Sequence, residues 1–187
     1  MKTKILLSVT FFASLFFISF TNDYTAQKAV QFMYVGVNSC ANVCHKTDAQ
    51  GNILSVWQST KHSEAYKVLQ TPEADKIASD KGFSTPAAET PQCLKCHILG
   101  KDIDPAELTD TFDKTQGVQC ETCHGPGSEY KKLSIMKDRN KAVENGLIIH
   151  TEGELFCITC HNTESPTFKG FSYDEYWTKI KHPRPKN

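Results

Sequence analysis

Residues 117–130 read GVQCETCHGPGSEY, and the five residues from Cys120 to His124 follow the pattern Cys-x-x-Cys-His. The same pattern occurs at residues 93–97 and 157–161. A fourth stretch, residues 40–45, keeps the final Cys-His but has one extra residue between its cysteines. These four stretches contain all eight cysteines of the chain. The cysteines are therefore arranged as pairs, and a histidine directly follows each pair.

This arrangement predicts covalent attachment of haem. Two thiols close in sequence can add to the two vinyl groups of one haem, and the adjacent histidine then binds the iron. We therefore predict four c-type haems, each iron being a metal site of the protein. The predicted attachment residues are Cys40, Cys44, Cys93, Cys96, Cys120, Cys123, Cys157 and Cys160. The predicted proximal iron ligands are His45, His97, His124 and His161.

Eight cysteines could also serve purposes other than haem attachment. In an exported chain they could form four disulfides, and two Cys-x-x-Cys pairs could bind one zinc ion. Neither use requires a histidine directly after each second cysteine, so haem attachment is favoured. For the irregular first motif three interpretations stay open. The extra residue bulges while both thiols bond, only Cys44 bonds and Cys40 stays free, or the pair is not a haem site.

Three of the seven histidines remain after the proximal ligands are assigned: His62, His150 and His182. The far side of a haem iron is commonly capped by histidine or methionine. Besides the initiator, the methionines are Met33 and Met136. Three histidines cannot cap four irons. We therefore predict three bis-histidine haems and a fourth that is five-coordinate or capped by another residue.

Each spare histidine has a plainer interpretation beside the ligand role. His62 shares a predicted helix face with Tyr66 and Leu69, but it could be a surface residue. His182 follows a short amphipathic turn that ends before a proline, but it could lie in a frayed tail. His150 follows an apolar run, but it could be a packed or linker residue. We predict all three as distal iron ligands.

The fold class predicted is mainly α, a small multihaem cytochrome with short helices and long loops packed around four covalently bound haems. A chain of this length cannot enclose each haem in its own protein core, so the haems themselves must form the core. The prediction places one tetrahaem domain at residues 28–187. Predicted helices cover 54–70, 105–112, 127–137 and 173–181, and the proline-containing segment from Thr71 to Gln92 is predicted mainly as loop.

The N-terminus has the layout of a secretory signal peptide. Two lysines precede an apolar run, and polar residues follow it. The run is short for a membrane span, which needs about 20 residues. We predict a signal peptide at residues 1–27 and a periplasmic or otherwise extracytoplasmic protein. The alternative is an uncleaved N-terminal membrane anchor. The formal net charge is zero, so no basic field indicates nucleic-acid binding.

With these residues in place, the chain resembles the tetrahaem cytochrome c-554 family of multihaem c-type cytochromes. The matching stretches are WQSTKHSEAY, PQCLKCH, GVQCETCHGPGSEY, CITCHNTESPTF and KIKHP. The resemblance implies a largely α-helical fold, haems in close pairs and periplasmic electron transfer. Known relatives take electrons from hydroxylamine oxidation. It also implies one haem without a histidine cap, at Cys93, Cys96 and His97. The chain departs from the family in its longer first motif. It also has no histidine between His97 and His124, where family members can supply a cap.

The function predicted is that of an exported electron carrier and not an enzyme. Its expected partners are other redox proteins or a membrane quinone-linked complex. The sequence shows no serine triad, carboxylate pair or nucleotide-binding loop. The alternative is a redox enzyme that acts on a small nitrogen or oxygen species at the one open haem.

Overall fold

The structure is a computed structural model that describes residues 31–41, 43–99, 103–150 and 153–183. Within these ranges the chain is helical, and the β pairing is limited to an isolated parallel bridge between Tyr34 and Leu108. The helices are α1 (Val37–Cys40), α2 (Ile53–Gln58), α3 (Ala65–Val68), α4 (Pro72–Asp80), α5 (Pro91–His97), α6 (Cys120–His124), α7 (Leu133–Met136), α8 (Arg139–Glu144), α9 (Gly153–Cys157) and α10 (Tyr173–Ile180). Short 3-10 turns lie at Val43–Lys46, Asp48–Gln50, Ala87–Glu89, Pro105–Glu107 and Lys114–Gln116. The predicted mainly α fold is confirmed.

The regular Cys-x-x-Cys-His motifs are themselves helical or lie at a helix end. The second motif lies in α5, which ends at His97, and the third is α6, which ends at His124. The fourth motif starts at Cys157, the last residue of α9, and its histidine, His161, lies in the turn that follows. Each regular motif thus presents its thiols and imidazole from one short, continuous piece of backbone.

The first motif is divided between two elements. Cys40 ends α1, whereas Cys44 and His45 lie in the separate 3-10 turn Val43–Lys46. Asn42, between the two elements, lies outside the described residues. The longer spacing of this motif therefore corresponds to a break between two helical turns.

The prediction that residues 71–92 are mainly loop is wrong, because α4 occupies nine of them. The Thr71 side chain caps this helix by accepting a hydrogen bond from Ala74 N at 3.2 Å. Pro72 follows at the first helical position, where its fixed φ favours a helix and its missing N–H costs nothing. Asp75 then ties the helix to the next turn, because its Oδ1 accepts a hydrogen bond from Ala87 N at 2.8 Å.

A small apolar cluster joins this helix to the second motif. Leu69, Ala78 and Ala87 are buried at its centre. Partly buried residues packed around them are Ala74, Phe83, Ala88, Cys93 and Leu94. Since Cys93 belongs to the second motif, that attachment site rests against an apolar surface.

The helix predicted over residues 54–70 is interrupted. It forms as α2 and α3, with turns at residues 59–64 between them. The prediction that His62 lies on a helix is therefore wrong, because it lies in the intervening turns. Ser and Thr side chains favour such turns by bonding nearby carbonyls, and the Thr60 hydroxyl donates to Trp57 O at 2.7 Å.

The other helix predictions had mixed outcomes. The helix over 173–181 is confirmed by α10. The one over 127–137 forms only in its last part, as α7, after turns at residues 128–131. The one over 105–112 is wrong beyond its first turn, because the 3-10 turn ends at Glu107 and Leu108 bridges to Tyr34.

In the described part of the chain, no helix is both long enough and apolar enough to cross a membrane. The predicted signal peptide at residues 1–27, and the alternative membrane anchor, lie outside the described residues.

Candidate functional site

Cysteines from different motifs lie close to one another. The thiols of Cys96 in the second motif and Cys160 in the fourth are hydrogen-bonded to each other, which raises the pKa of Cys96 and lowers that of Cys160 to about 6. The same two motifs are joined by an ion pair between Lys95 and Glu164. The second and fourth motifs are therefore neighbours.

The first and third motifs are also neighbours. Helix α1, which ends at Cys40, packs against α6. Burial raises the pKa of the Cys120 thiol to about 11 and that of Cys40 further, and the charge of Cys120 contributes to the rise at Cys40.

The third motif also approaches the fourth. Burial, with Cys157 as the next cause, raises the pKa of Cys123 to about 12. These relations make neighbours of the first and third motifs, the third and fourth, and the fourth and second. The third motif also contacts the residue after the second, since Thr122 Oγ1 donates to Ile98 O at 3.3 Å.

Every cysteine whose side chain the structure describes is a free thiol. The side chain of Cys44 is not among those described. Among the described residues, no group of three or more His, Cys, Asp or Glu side chains is arranged to hold a metal ion by itself. The described thiols are thus all available for thioether bonds.

Two pairs of histidine rings lie close to each other. The ring centroids of His62 and His161 are 6.0 Å apart, with an interplanar angle of 51°. Those of His124 and His182 are also 6.0 Å apart, with an interplanar angle of 52°. In each pair a predicted proximal ligand is matched with one of the spare histidines.

This spacing fits two imidazoles that bind one iron from opposite sides. A metal–imidazole nitrogen bond is about 2 Å long and the ring centre lies about 1 Å beyond the nitrogen, so opposed rings have centres about 6 Å apart. The rings must also be neutral to bind a metal. Burial lowers the pKa of His62 and of His161, with the partner ring His161 as the second cause at His62. Burial, followed by His182, lowers the pKa of His124 to about 4.

The second motif's histidine is oriented by the backbone. Nδ1 of His97 lies 2.7 Å from Ala65 O, and because a carbonyl only accepts, Nδ1 must carry the proton. That leaves Nε2 as the nitrogen with a free lone pair, which is how many metal-bound histidines are held. Among the described rings, none lies opposite His97 as His62 lies opposite His161.

The remaining predicted ligands are His45 and His150. Burial, followed by the charge of His182, lowers the pKa of His45, so His45 lies near the pair formed by His124 and His182. The His150 ring contacts Phe156, with centroids 4.2 Å apart, and its Nε2 is hydrogen-bonded to Cys123 O. The structure therefore places His150 beside the third motif and does not pair it with a proximal histidine.

The backbone before the third motif fixes the position of His62. Val118 N donates to His62 O at 2.9 Å, and Trp57 Nε1 donates to Val118 O at 2.8 Å. Gly117 has a φ of +71°, and a Cβ added there would lie 2.5 Å from His62 O. Only glycine fits this close approach. The sequence shows that Gly117 lies just before the third motif, but it gives no local signal that Gly117 contacts His62.

An aromatic stack continues from the fourth motif's histidine toward the surface. The rings of His161 and Phe171 are stacked at 4.8 Å, and those of Phe171 and Tyr176 at 5.4 Å. The ammonium of Lys179 lies 4.7 Å from the Tyr176 centroid. Sequence reasoning missed Phe171, because it precedes α10 and no periodic pattern singles it out.

The comparison with protein families agrees with this site. Residues 39–125 match the family model described as cytochrome c554 and c-prime, a range that contains the first three motifs. A relative named cytochrome c-554, from Nitrosomonas europaea, is 29% identical over 153 residues. That match covers 73% of this chain and 61% of the relative. No solved structure matches the chain significantly.

Proposed function

We propose, from these matches, that the chain is a cytochrome of the c-554 family and that it is an exported tetrahaem cytochrome that carries electrons between redox partners. The observation that carries the proposal is the presence of two pairs of neighbouring imidazoles, His62 with His161 and His124 with His182, each with centroids 6.0 Å apart. Ring pairs at this spacing, each next to a pair of cysteines, have the donor set of a bis-histidine c-type haem.

The four motifs would hold the haems. Thioether bonds at the cysteine pairs fix each porphyrin to the backbone, and the histidine of each motif binds the iron. When bound, haem supplies an iron that alternates between the ferric and ferrous states. The chain's own residues determine which motifs are neighbours, and the order first, third, fourth, second gives electrons a continuous sequence of sites.

The distal ligands are assigned from the ring pairs. His62 would cap the iron of the fourth motif and His182 that of the third. His150 is the spare histidine left for the first motif, and its ring lies beside the third motif, next to Cys123. The iron held by His97 is then the one without a histidine cap.

Partners and location form part of the proposal. The N-terminal segment supports export, and covalent haem attachment supports a place outside the cytoplasm. The partners would be other redox proteins or a membrane quinone-linked complex. The chain spans about 61% of the length of the Nitrosomonas relative. Its partners and location are therefore proposed from its own residues and not from those of the relative.

One observation favours a second function. His97 and His45 are the two proximal histidines with no paired histidine ring among the described residues. With His150 proposed as the cap of the first motif, the iron of His97 would have the open coordination position that a redox enzyme for a small nitrogen or oxygen species needs. The test is carbon monoxide binding to the reduced protein. Steady turnover of nitrite, hydroxylamine or peroxide, together with binding of one carbon monoxide per chain, would favour the enzyme over the carrier.

Intact mass of the exported protein tests the main proposal. We expect the mature chain to carry four haem masses. A protein with no haem mass would contradict the proposal entirely, and one with three would remove the irregular first motif from it. Oxidation and reduction by a redox mediator, followed in the haem absorption bands, would then show whether all four irons take up electrons.

A further inference from the structure

The third motif contains a carboxylate with an unusual environment. Glu121, between Cys120 and Cys123, is 1% exposed, one of the two largest fully buried side chains among the described residues. A glutamate is almost never so buried unless its carboxylate is paired or hydrogen-bonded. No ammonium or guanidinium within ion-pair distance of Glu121 is found in the described part of the chain.

Backbone N–H groups from two distant segments satisfy this carboxylate. Its Oε1 accepts hydrogen bonds from Gly127 N at 2.7 Å and Val35 N at 2.9 Å. Its Oε2 accepts from Gly36 N at 2.7 Å and Val35 N at 3.0 Å. Burial raises the pKa of the carboxyl, and the N–H donors of Val35, Gly127 and Gly36 oppose that rise because they bind the ionised form better.

The segments joined by Glu121 belong to different haem sites. Val35 and Gly36 directly precede α1, which carries Cys40 of the first motif. Gly127 follows the histidine of the third motif, and Glu121 itself lies in that motif. One side chain therefore connects the backbone on both sides of the third motif to the backbone that leads into the first.

A neighbouring side chain reinforces the same connection. Gln119 is 2% exposed, and its Oε1 accepts a hydrogen bond from Val37 N at 2.7 Å. Its Nε2 donates to Asp113 O at 2.8 Å. Residues 35–37 thus donate in succession to two side chains of the third motif's segment, which fixes both the distance and the register between the two segments.

We propose that Glu121 is a positioning residue that sets the placement of the first haem site against the third. The proposal rests on the proposed function, because it requires haems at both motifs. This role differs from haem attachment and iron ligation, because Glu121 is neither a cysteine nor the histidine of the Cys-x-x-Cys-His motif. Its effect is on the geometry through which electrons pass between two neighbouring sites.

The test compares Glu121→Gln with Glu129→Gln in the haem-loaded protein. A glutamine offers one acceptor oxygen, so its amide nitrogen must face the N–H of either Gly127 or Gly36, and that hydrogen bond is lost, whereas Val35 N keeps one acceptor. Glu129 is a partly exposed glutamate in the same region, paired with Lys132 at 2.6 Å, and serves as the control.

The readouts are intact mass and electron paramagnetic resonance of the oxidised protein. Signals are assigned beforehand with His182→Met for the third haem and His62→Met for the fourth. For Glu121→Gln we expect four haem masses, shifted g values for the third haem and an unchanged fourth haem. Glu129→Gln should retain all wild-type signals.

An unchanged third haem in Glu121→Gln, or equal shifts at the third and fourth haems, would overturn the proposal. If the variant does not accumulate with four haems, Gly127→Ala tests the same contact more gently, since its Cβ would lie 2.9 Å from Glu121 Oε1. Failure of both variants to load four haems would mean that Glu121 acts in assembly, which also overturns the proposal. A wild-type protein that lacks four haems would instead refute the proposed function.

Discussion

His62 and His161 lie opposite each other with ring centroids 6.0 Å apart, although one lies in turns after the first motif and the other closes the fourth. The contact depends on a third segment, because His62 O accepts a hydrogen bond from Val118 N, next to the third motif. The position of His62 thus depends on the backbone that leads into the third motif.

Replacement of His62 should affect the fourth haem alone. In His62→Gly the cap is lost, and we expect one haem to change from low-spin to high-spin and to bind carbon monoxide when reduced. The measurement is electron paramagnetic resonance with a carbon monoxide titration. The matched variant is His182→Gly, which should convert a different haem. The same haem responding in both variants would contradict the assignment of the two ring pairs.

Gly117→Ala should displace His62 without removing it. A Cβ at Gly117 would lie 2.5 Å from His62 O and 3.0 Å from Ala65 N, so the turn that carries His62 must shift. The positive φ adds about 1–2 kcal/mol of strain. We expect both a lower free energy of unfolding and an altered signal of the fourth haem.

Gly82→Ala is the control for this effect. Gly82 has a φ of +83°, close to that of Gly117, but a Cβ there would meet no atom within 4 Å. It should lose a similar stability, about 1–2 kcal/mol, with every haem signal unchanged. If both alanine variants left the fourth haem as in the wild type, the close approach of Gly117 to His62 would have no role in ligation.

The sequence by itself predicts the haem-attachment residues, because the spacing of Cys-x-x-Cys-His is set by the chemistry of the porphyrin and not by the fold. The identity of His62 as a candidate ligand also followed from counting histidines. Its opposition to His161 could not, because it depends on a long-range backbone contact with Val118 that leaves no periodic pattern. Glu121 shows the same limit, since nothing local separates a buried glutamate from an exposed one.

Helix α4 was missed for a different reason. Pro72 suggested a loop, yet a proline directly after a capping threonine starts a helix as readily as it breaks one. The hydrogen bond from Ala74 N to the Thr71 hydroxyl confirms the cap. The sequence therefore contains a signal for the start of a helix, but the prolines farther along the segment favour a loop in the prediction.

Phe171→Leu should disturb the fourth haem from its proximal side. The Phe171 ring stacks on His161 at 4.8 Å and 19°, and this contact limits rotation of the imidazole. Loss of an aromatic pair costs about 0.5–1.5 kcal/mol. We expect that loss of stability and shifted g values for the fourth haem, because the plane of an axial ring orients the iron orbitals. Phe168→Leu is the control, because Phe168 is a half-buried phenylalanine three residues earlier that has no described ring contact with His161. Equal shifts in both variants would exclude a specific role for the stack.

The divided first motif gives the last prediction. Cys40 ends α1, whereas Cys44 lies in the separate 3-10 turn Val43–Lys46, so the two cysteines belong to different elements. We therefore expect both thiols to bond to one haem. Alkylation of the unfolded haem-loaded protein, followed by proteolysis and mass measurement, should give a peptide over residues 36–47 that carries one haem and no alkyl group.

The three regular motifs provide internal controls, since each of their peptides should show the same result. In Cys40→Ser the haem of the first motif should remain attached through Cys44, with the shifted absorption of a haem that keeps one vinyl group. An alkylated Cys40 in the wild-type peptide would show instead that a single thioether holds this haem. A peptide without haem would show that residues 40–45 are not an attachment site and that the chain carries three haems.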